Sequence, residues 1–446
     1  MTKTNELART LSLTDSVAIL VGIVVGGGIF LLPRLIAAEL PSAPGILAVW
    51  AASGVLCFFG ALAYAEMGAM MPLTGGHYVF LRECYGPLAA FLSGWTFSLV
   101  VSAGAIAWLA VSFSITLSYF FPLGPAASKL LAVGLIAGLT VVNYCGIKAG
   151  SAVQNASTWL KLAGIAVIVG SAFLPGRPHA AIDWWPAASG FSWSHFGVAM
   201  LATLLSYDGW SNISYVAGEI REPRRNLPLV LGIGLAIAIA VYLLANLAYL
   251  RVLPISEIAA SQRVGADVAA RTLGTAGGAV VSITILLSIL GAANGHILTT
   301  PRLLFAMSRD GLIFESLGQI HPRFQTMSFN IAMQGLWAAV LVVTGSFETL
   351  VTYAMFAAFI FYGLTVPGVI ILRRKYPNRE RPYRMWGYPV TPVLFTATAA
   401  WFVLNTLITT PGPALAAILI ILTGIPVYYM WQSRIRRLAA LPGEAK

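Results

Sequence analysis

Long apolar runs separated by short polar breaks occupy nearly all of this 446-residue chain, and no other feature narrows its possible folds so far. They fall near 14–38, 45–70, 87–120, 127–143, 156–174, 196–218, 228–252, 275–301, 329–345, 349–372, 388–410 and 413–433, numbered here as spans 1 to 12. A helix needs roughly 20 apolar residues to cross a bilayer. In lipid the backbone has no water to bond, so each segment must satisfy its own amides, which selects helices. The expected fold is an all-α polytopic membrane protein with 12 transmembrane helices. Composition excludes the soluble alternative: 58% of residues are hydrophobic and 10% charged, against about 25% charged in a soluble domain. The run at 87–120 is too long for a perpendicular span and must tilt or extend past the bilayer.

A formal charge of +11 raises nucleic acid as a partner, but the placement of the basic residues argues against it. An even number of spans puts both termini on one side. With that side cytoplasmic, 20 of the 27 Lys and Arg fall on cytoplasmic segments. They run from Lys3 and Arg9 to the group at Arg373–Arg384 and to Arg434, Arg436, Arg437 and Lys446. Arg34, Lys129, Arg177, Arg251, Arg263 and Arg271 fall outside, and Lys161 falls within span 5. This is the positive-inside distribution. The expected setting is the cell inner membrane, with the lipid bilayer as partner and no nucleic acid. Cys57, Cys84 and Cys145 lie far apart, in or beside spans and without metal-ligand spacing, and read as small packing residues. No metal and no cofactor are expected. The short polar N-terminal stretch carries no signal-peptide pattern.

Three features do not belong in ordinary membrane helices. The first is Val24-Val25-Gly26-Gly27-Gly28-Ile29-Phe30 in the middle of span 1. Each glycine costs about 1 kcal/mol relative to alanine in a helix. Two readings stand: a close helix crossing at small residues, or a broken helix lining a cavity. In the second, N–H groups at the start of the next half-helix would hold an anion such as a carboxylate.

The second is Leu205-Ser206-Tyr207-Asp208-Gly209-Trp210 in span 6. An acid at mid-span costs about 2.5–3.5 kcal/mol on insertion and by default marks a functional site. The alternative is an aspartate satisfied by Ser or Tyr hydroxyls in the bundle. Unwound carbonyls here would accept from an ammonium group. Spans 1 and 6 are corresponding members of two five-helix halves, and interruptions at matching positions point to a transporter binding site. The third is Lys161, which either snorkels to the interface from near the start of span 5 or faces inward and bridges span 1 to its neighbours.

With further motifs, these residues resemble the L-type amino-acid transporter family, in a bacterial member, within the amino acid–polyamine–organocation superfamily. Gly26-Gly27-Gly28-Ile29-Phe30 followed by Pro33 resembles the family's G-S-G-I-F motif. Tyr64-Ala65-Glu66-Met67-Gly68 and Pro72-Leu73-Thr74-Gly75-Gly76-His77-Tyr78 resemble its Y-A-E-L-G and P-x-S-G-G-D-Y stretches. Tyr207-Asp208-Gly209-Trp210 with Glu219, Pro223, Asn226 and Pro228 resembles the span-6 signature and its loop. Asn246-Leu247-Ala248-Tyr249, then Asn294-Gly295 with Arg302 and Arg309-Asp310-Gly311, complete the series.

The resemblance implies a leucine-transporter-like fold with helices 1 and 6 unwound. Its parts would be a cytoplasmic tail over 1–13, one five-helix repeat over 14–174 and an inverted repeat over 196–372. Two further helices would follow over 388–433, and a tail over 434–446. The backbone at Gly26, Gly27 and Gly28 would bind a substrate α-carboxylate. Carbonyls around Val24, Leu205, Ser206 and Asp208 would bind the α-amino group. Lys161 would stand in for sodium and tie span 1 to span 8, with Tyr249 and Asn294 near the substrate and this network, and Tyr207 and Trp210 in gating. Side chains of spans 3, 6, 8 and 10 would read the substrate's side chain.

Gly27 departs from the family serine, which removes a hydroxyl and adds room. His77 departs from the family aspartate, as either a group titrating near neutrality or a solvated loop histidine. The loop from Ser118 to Lys129 has no cysteine, whereas animal members use one to bond an accessory glycoprotein, so no heavy-chain subunit is expected. Oligomeric state is left open.

The function expected is sodium-independent exchange of L-amino acids, neutral ones first, by alternating access. The alternatives are a proton-coupled or cationic amino-acid or polyamine permease, and a transporter-like nutrient sensor. An enzyme is not expected, because none of the five histidines sits in a metal-binding or nucleophile–base motif. A channel would need a continuous polar lining, and here the polar groups gather at the two breaks.

Overall fold

The computed structural model describes residues 7–439 apart from 119, 177–179, 181, 183, 185–191, 262 and 346. Lys3, Arg177 and Lys446 thus lie outside the described residues. Helices make up almost all the rest, and the extended pairing among the described residues is one isolated parallel bridge, Leu11 to Ile220. Ten of the described helices are long and apolar enough to cross a membrane, covering spans 1–5, 7, 8 and 10–12. The chain is therefore a multi-pass α-helical membrane protein. Span 9 corresponds to the apolar 17-residue helix Ser328–Thr344. Span 6 corresponds to Trp193–Tyr207 followed by a tighter 3₁₀ stretch, Trp210–Glu219.

The helix starts are written locally. Ser12 and Asp15 form a reciprocal cap, the Ser12 hydroxyl accepting from the Asp15 N–H and the Asp15 carboxylate from the Ser12 N–H. Pro87, Pro125, Pro223, Pro301 and Pro411 each open a helix, where the missing N–H removes no bond. The long run at 87–120 is Pro87–Thr96, a wide π-type turn at Phe97–Val101, and Ser102–Leu117.

Span 5 differs most from its sequence limits. The helix starts at Ile147, not near 156. Its first turns are polar, so hydropathy passes over them, yet Ser151 and Gln154 are buried. Gln154 finds its partner in Asn294 of span 8, 2.8 Å away. Tertiary hydrogen bonds hold a helix that composition does not announce.

Span 1 lies at the centre, packed on spans 5, 7 and 8 and on the 3₁₀ stretch. Its best apolar window, within Leu13–Leu31, is 72% buried, against 17% for Pro125–Tyr144 at the periphery. One end of the bundle is closed by buried charge. Glu219 accepts from Arg302 Nε at 2.8 Å, and both are almost fully buried. Leu11, within the expected N-terminal tail, is itself buried and pairs through its backbone with Glu219 and Arg221. Glu66 is buried as well and accepts from Arg373 at 2.8 and 2.6 Å and from the Met385 N–H at 2.8 Å. The expected C-terminal tail begins inside a helix, Pro411–Ala439.

Candidate binding cavity

Two helix interruptions meet at the centre of the bundle. In span 1, helix Leu13–Val24 stops and helix Gly28–Leu31 follows, continued by Pro33–Glu39. Between them the Gly26 N–H turns back to the Val24 carbonyl at 2.7 Å. The N–H groups that open the second helix have no acceptor within it. In span 6, Asp208 is extended and Gly209 takes φ 91° before the 3₁₀ stretch begins. Only glycine serves at 209: the φ is left-handed, and a Cβ would come 2.4 Å from Ile23 Cγ2.

The glycines of span 1 divide between the two readings. A Cβ on Gly28 would stand 2.7 Å from Ser206 Oγ, so Gly28 permits a close crossing of the two breaks. A Cβ on Gly27 would meet nothing nearer than Ile289 at 3.5 Å, and one on Gly26 nothing nearer than 3.8 Å. A Cβ at either would make only ordinary van der Waals contacts, beside an open space that both glycines line.

That space is a cavity of about 140 Å³. Val24, Gly26, Gly27, Gly28, Leu205, Ser206 and Asp208 all line it. Its other walls are Val101, Ala105, Trp108 and Leu109 of span 3, Ala292 and His296 of span 8, and Ala354 and Met355 of span 10. One side is backbone and carboxylate; the rest is mostly hydrocarbon. A small zwitterion with an apolar side chain matches that division.

The polar groups around the breaks are largely engaged. Lys161 is fully buried in the middle of its helix, so the snorkelling reading does not hold. Its Nζ donates to the carbonyls of Gly22 at 2.7 Å, Val25 at 2.9 Å and Ser288 at 3.3 Å. Ser288 Oγ donates to the Val25 carbonyl as well, at 2.8 Å. The Tyr242 hydroxyl lies 2.6 Å from the Val24 carbonyl oxygen and 2.7 Å from that of Ser206, sharing one proton between the two breaks. With the Gly26 N–H, the Tyr242 hydroxyl brings the Val24 carbonyl to two donors, whereas the Ser206 carbonyl keeps a lone pair beyond Tyr242.

Asp208 is different. Its Oδ1 accepts from the Tyr362 hydroxyl at 3.0 Å, and no cation among the described residues pairs with it. The hydroxyl reading is thus half right: a tyrosine supports the carboxyl group, which lines the cavity without a cationic partner among the described residues.

The remaining sequence candidates stand off the cavity. Asn294 joins Asn143, Gly150 and Gln154 in a buried cluster between spans 4, 5 and 8, at 2.8 to 3.0 Å. Tyr249 is buried beside Gly265. The Tyr207 hydroxyl donates to the Trp50 carbonyl at 3.2 Å, and its ring packs on Tyr242. Trp210 packs on Tyr64 and Tyr362, one layer behind Asp208.

His77 answers to neither of its readings. It is fully buried at the start of helix His77–Tyr85, bonded to the Tyr215 hydroxyl at 3.1 Å and packed at a tilt against Phe97, ring centroids 4.2 Å apart. Burial pushes its pKa down to about 3, so it stays neutral at physiological pH. Sequence reasoning passed over Tyr242, Ser288, Tyr362 and His296 as site residues. Polar side chains at mid-span were their only signal, and most such groups serve packing.

The family model for amino acid permeases matches residues 11–432. The b(0,+)-type amino acid transporter 1 of Homo sapiens is 34% identical over 437 residues, covering 96% of this chain and 89% of the relative. The serine/threonine exchanger SteT of Bacillus subtilis is 33% identical over 436 residues, covering 97% of this chain and 99% of the relative. The cystine/glutamate transporter of Homo sapiens is 30% identical over 432 residues, covering 96% and 86%.

Proposed function

This chain belongs to the amino acid permease family, in its L-type branch, and from that premise we propose that it exchanges L-amino acids across the cell inner membrane without sodium, by alternating access. The observation that carries the proposal is the junction of two broken helices with Lys161. An ammonium held by the Gly22, Val25 and Ser288 carbonyls supplies from within the chain the positive charge that a bound cation would bring to an unwound helix. Relatives named as transporters and as a serine/threonine exchanger support the same reading.

In this reading the N–H groups around Gly26, Gly27 and Gly28 take the α-carboxylate. The carbonyls around Val24, Leu205 and Ser206, with Asp208, take the α-amino group. The hydrocarbon of Val101, Leu109, Ala354 and Met355 favours neutral, apolar side chains. Trp193–Glu219 and Ser328–Thr344 complete twelve spans in two inverted five-helix repeats, with both termini cytoplasmic and Arg9, Arg82, Arg302 and Arg309 on that side. No catalytic role and no accessory subunit enter the scheme.

A second reading has one observation behind it. The uncompensated carboxylate of Asp208 suits a substrate with a cationic side chain. Proteoliposomes loaded with one unlabelled amino acid and offered labelled amino acids outside test both. Serine, threonine or leucine should enter only against an internal amino acid and equally well in sodium and in choline. Uptake of lysine or arginine alone would favour the second reading. Sodium dependence would remove Lys161 from its assigned role, and failure of every amino acid would end the proposal.

A further inference from the structure

Away from the two breaks, the walls of the central cavity are hydrocarbon apart from two nitrogen-bearing rings, Trp108 of span 3 and His296 of span 8. His296 lies one turn beyond Ala292 on the unbroken helix Thr275–Thr299 and is 8% exposed. Its Nδ1 is 3.3 Å from Asn212 Nδ2, in the 3₁₀ stretch that follows the span-6 break, and that bond orients the ring. Its Nε2 bonds nothing among the described residues, yet it is not sealed off as the unpartnered Nε2 of His77 is. The space it opens on is the cavity.

A ring nitrogen set among hydrocarbon is costly to leave without a partner once a ligand has displaced water. In the proposed function the breaks take both charged ends of the amino acid, which leaves the side chain to the other walls, and the role of His296 rests on that reading. We propose that His296 selects substrates whose short side chain carries a hydroxyl over hydrocarbon side chains of the same shape. A hydroxyl both donates and accepts, so it pairs with Nε2 whichever ring nitrogen carries the proton, whereas the Trp108 indole can only donate. Threonine and valine differ by this group and share a shape; the threonine methyl still meets hydrocarbon, such as that of Ala354 and Met355. A site built to bond a hydroxyl rejects the analogue lacking it, because its own polar atom is then left unpaired.

The test is inhibition of labelled-alanine exchange in proteoliposomes by unlabelled L-threonine and L-valine. In the wild type, threonine should inhibit at a concentration about tenfold lower than valine, the factor that one unpaired buried polar atom carries. His296→Leu should erase that preference or turn it toward valine. His296→Gln, which keeps an amide group at the position, should retain part of it, and Trp108→Phe should keep the wild-type ratio. The same ratio is read in detergent, from the concentrations of threonine and valine that raise the melting temperature, so a variant too impaired for exchange still reports.

Equal inhibition by threonine and valine in the wild type would overturn the role of His296 and leave the exchange reading standing. So would a preference that survives His296→Leu, or one that Trp108→Phe erases. Absence of exchange and of binding for every amino acid would end both.

Discussion

The two helix breaks are built on opposite electrical plans. In span 1 three carbonyls released by unwinding are held by side chains: Lys161 holds those of Gly22 and Val25, Ser288 shares Val25, and Tyr242 takes Val24. Span 1 also turns toward the cavity the opening of helix Gly28–Leu31, the positive end of a helix. In span 6 the free group is a carboxylate, backed by one phenol and no cation. In the proposed function, one break offers donors and the other acceptors, on two sides of one cavity. A zwitterion needs that arrangement, and neither break would provide it alone.

Removing the ammonium should break this comparison most severely. Lys161→Met strips a donor from three buried carbonyls, of which Val25 keeps Ser288 Oγ; a buried acceptor left unpaired costs about 1–3 kcal/mol. Exchange should be lost and the melting temperature in detergent should fall; exchange at the wild-type rate would reduce Lys161 to a packing residue. Next is Gly28→Val, because even a Cβ there meets Ser206 Oγ at 2.7 Å. Overpacking of this kind costs typically about 1–3 kcal/mol, so affinity in a binding assay should fall at least about tenfold while the protein stays folded. Normal affinity would show that the closeness of the two breaks does not matter for binding.

Tyr362→Phe acts on the other break alone. It removes the donor to Asp208, worth about 1.5–3 kcal/mol for a charged acceptor. The KM for exchange should change about tenfold, and the pattern is the useful part. Equal shifts for neutral and cationic substrates mean that Asp208 reads the α-amino group; a shift for cationic substrates only means that it reads the side chain. Gly27→Ser should have the smallest effect, less than about threefold in KM, as for substitutions that meet neither a clash nor a lost partner. Its Cβ has room, with Ile289 at 3.5 Å. Uptake assays check it, and a large loss would mean that the span-1 backbone tolerates no side chain at all.

Much of the architecture was legible because bilayer thickness imposes a length on apolar runs. The break in span 1 was legible because three glycines in a row are costly in a helix, and the break in span 6 because an acid is costly in lipid. What escaped was set by partners distant in the chain. Span 5 begins early because Gln154 meets Asn294 from span 8. His77 looks like a loop histidine and is buried because Tyr215 and Phe97 close over it. Tyr242 sits unremarked in span 7, and only its position between Val24 and Ser206 makes it the link between the breaks.

The sequence by itself determined the solvent of this protein, the places where its helices cannot continue and the kinship of its motifs, because each follows from local free energies of insertion and helix propensity. The tertiary structure alone decided which way Lys161 points, which glycine is a contact and which a cavity wall, and that Asp208 is left without a cation. Those depend on residues more than a hundred positions apart coming within 3 Å, as Lys161 and Gly22 do at 2.7 Å, and no local pattern encodes that meeting.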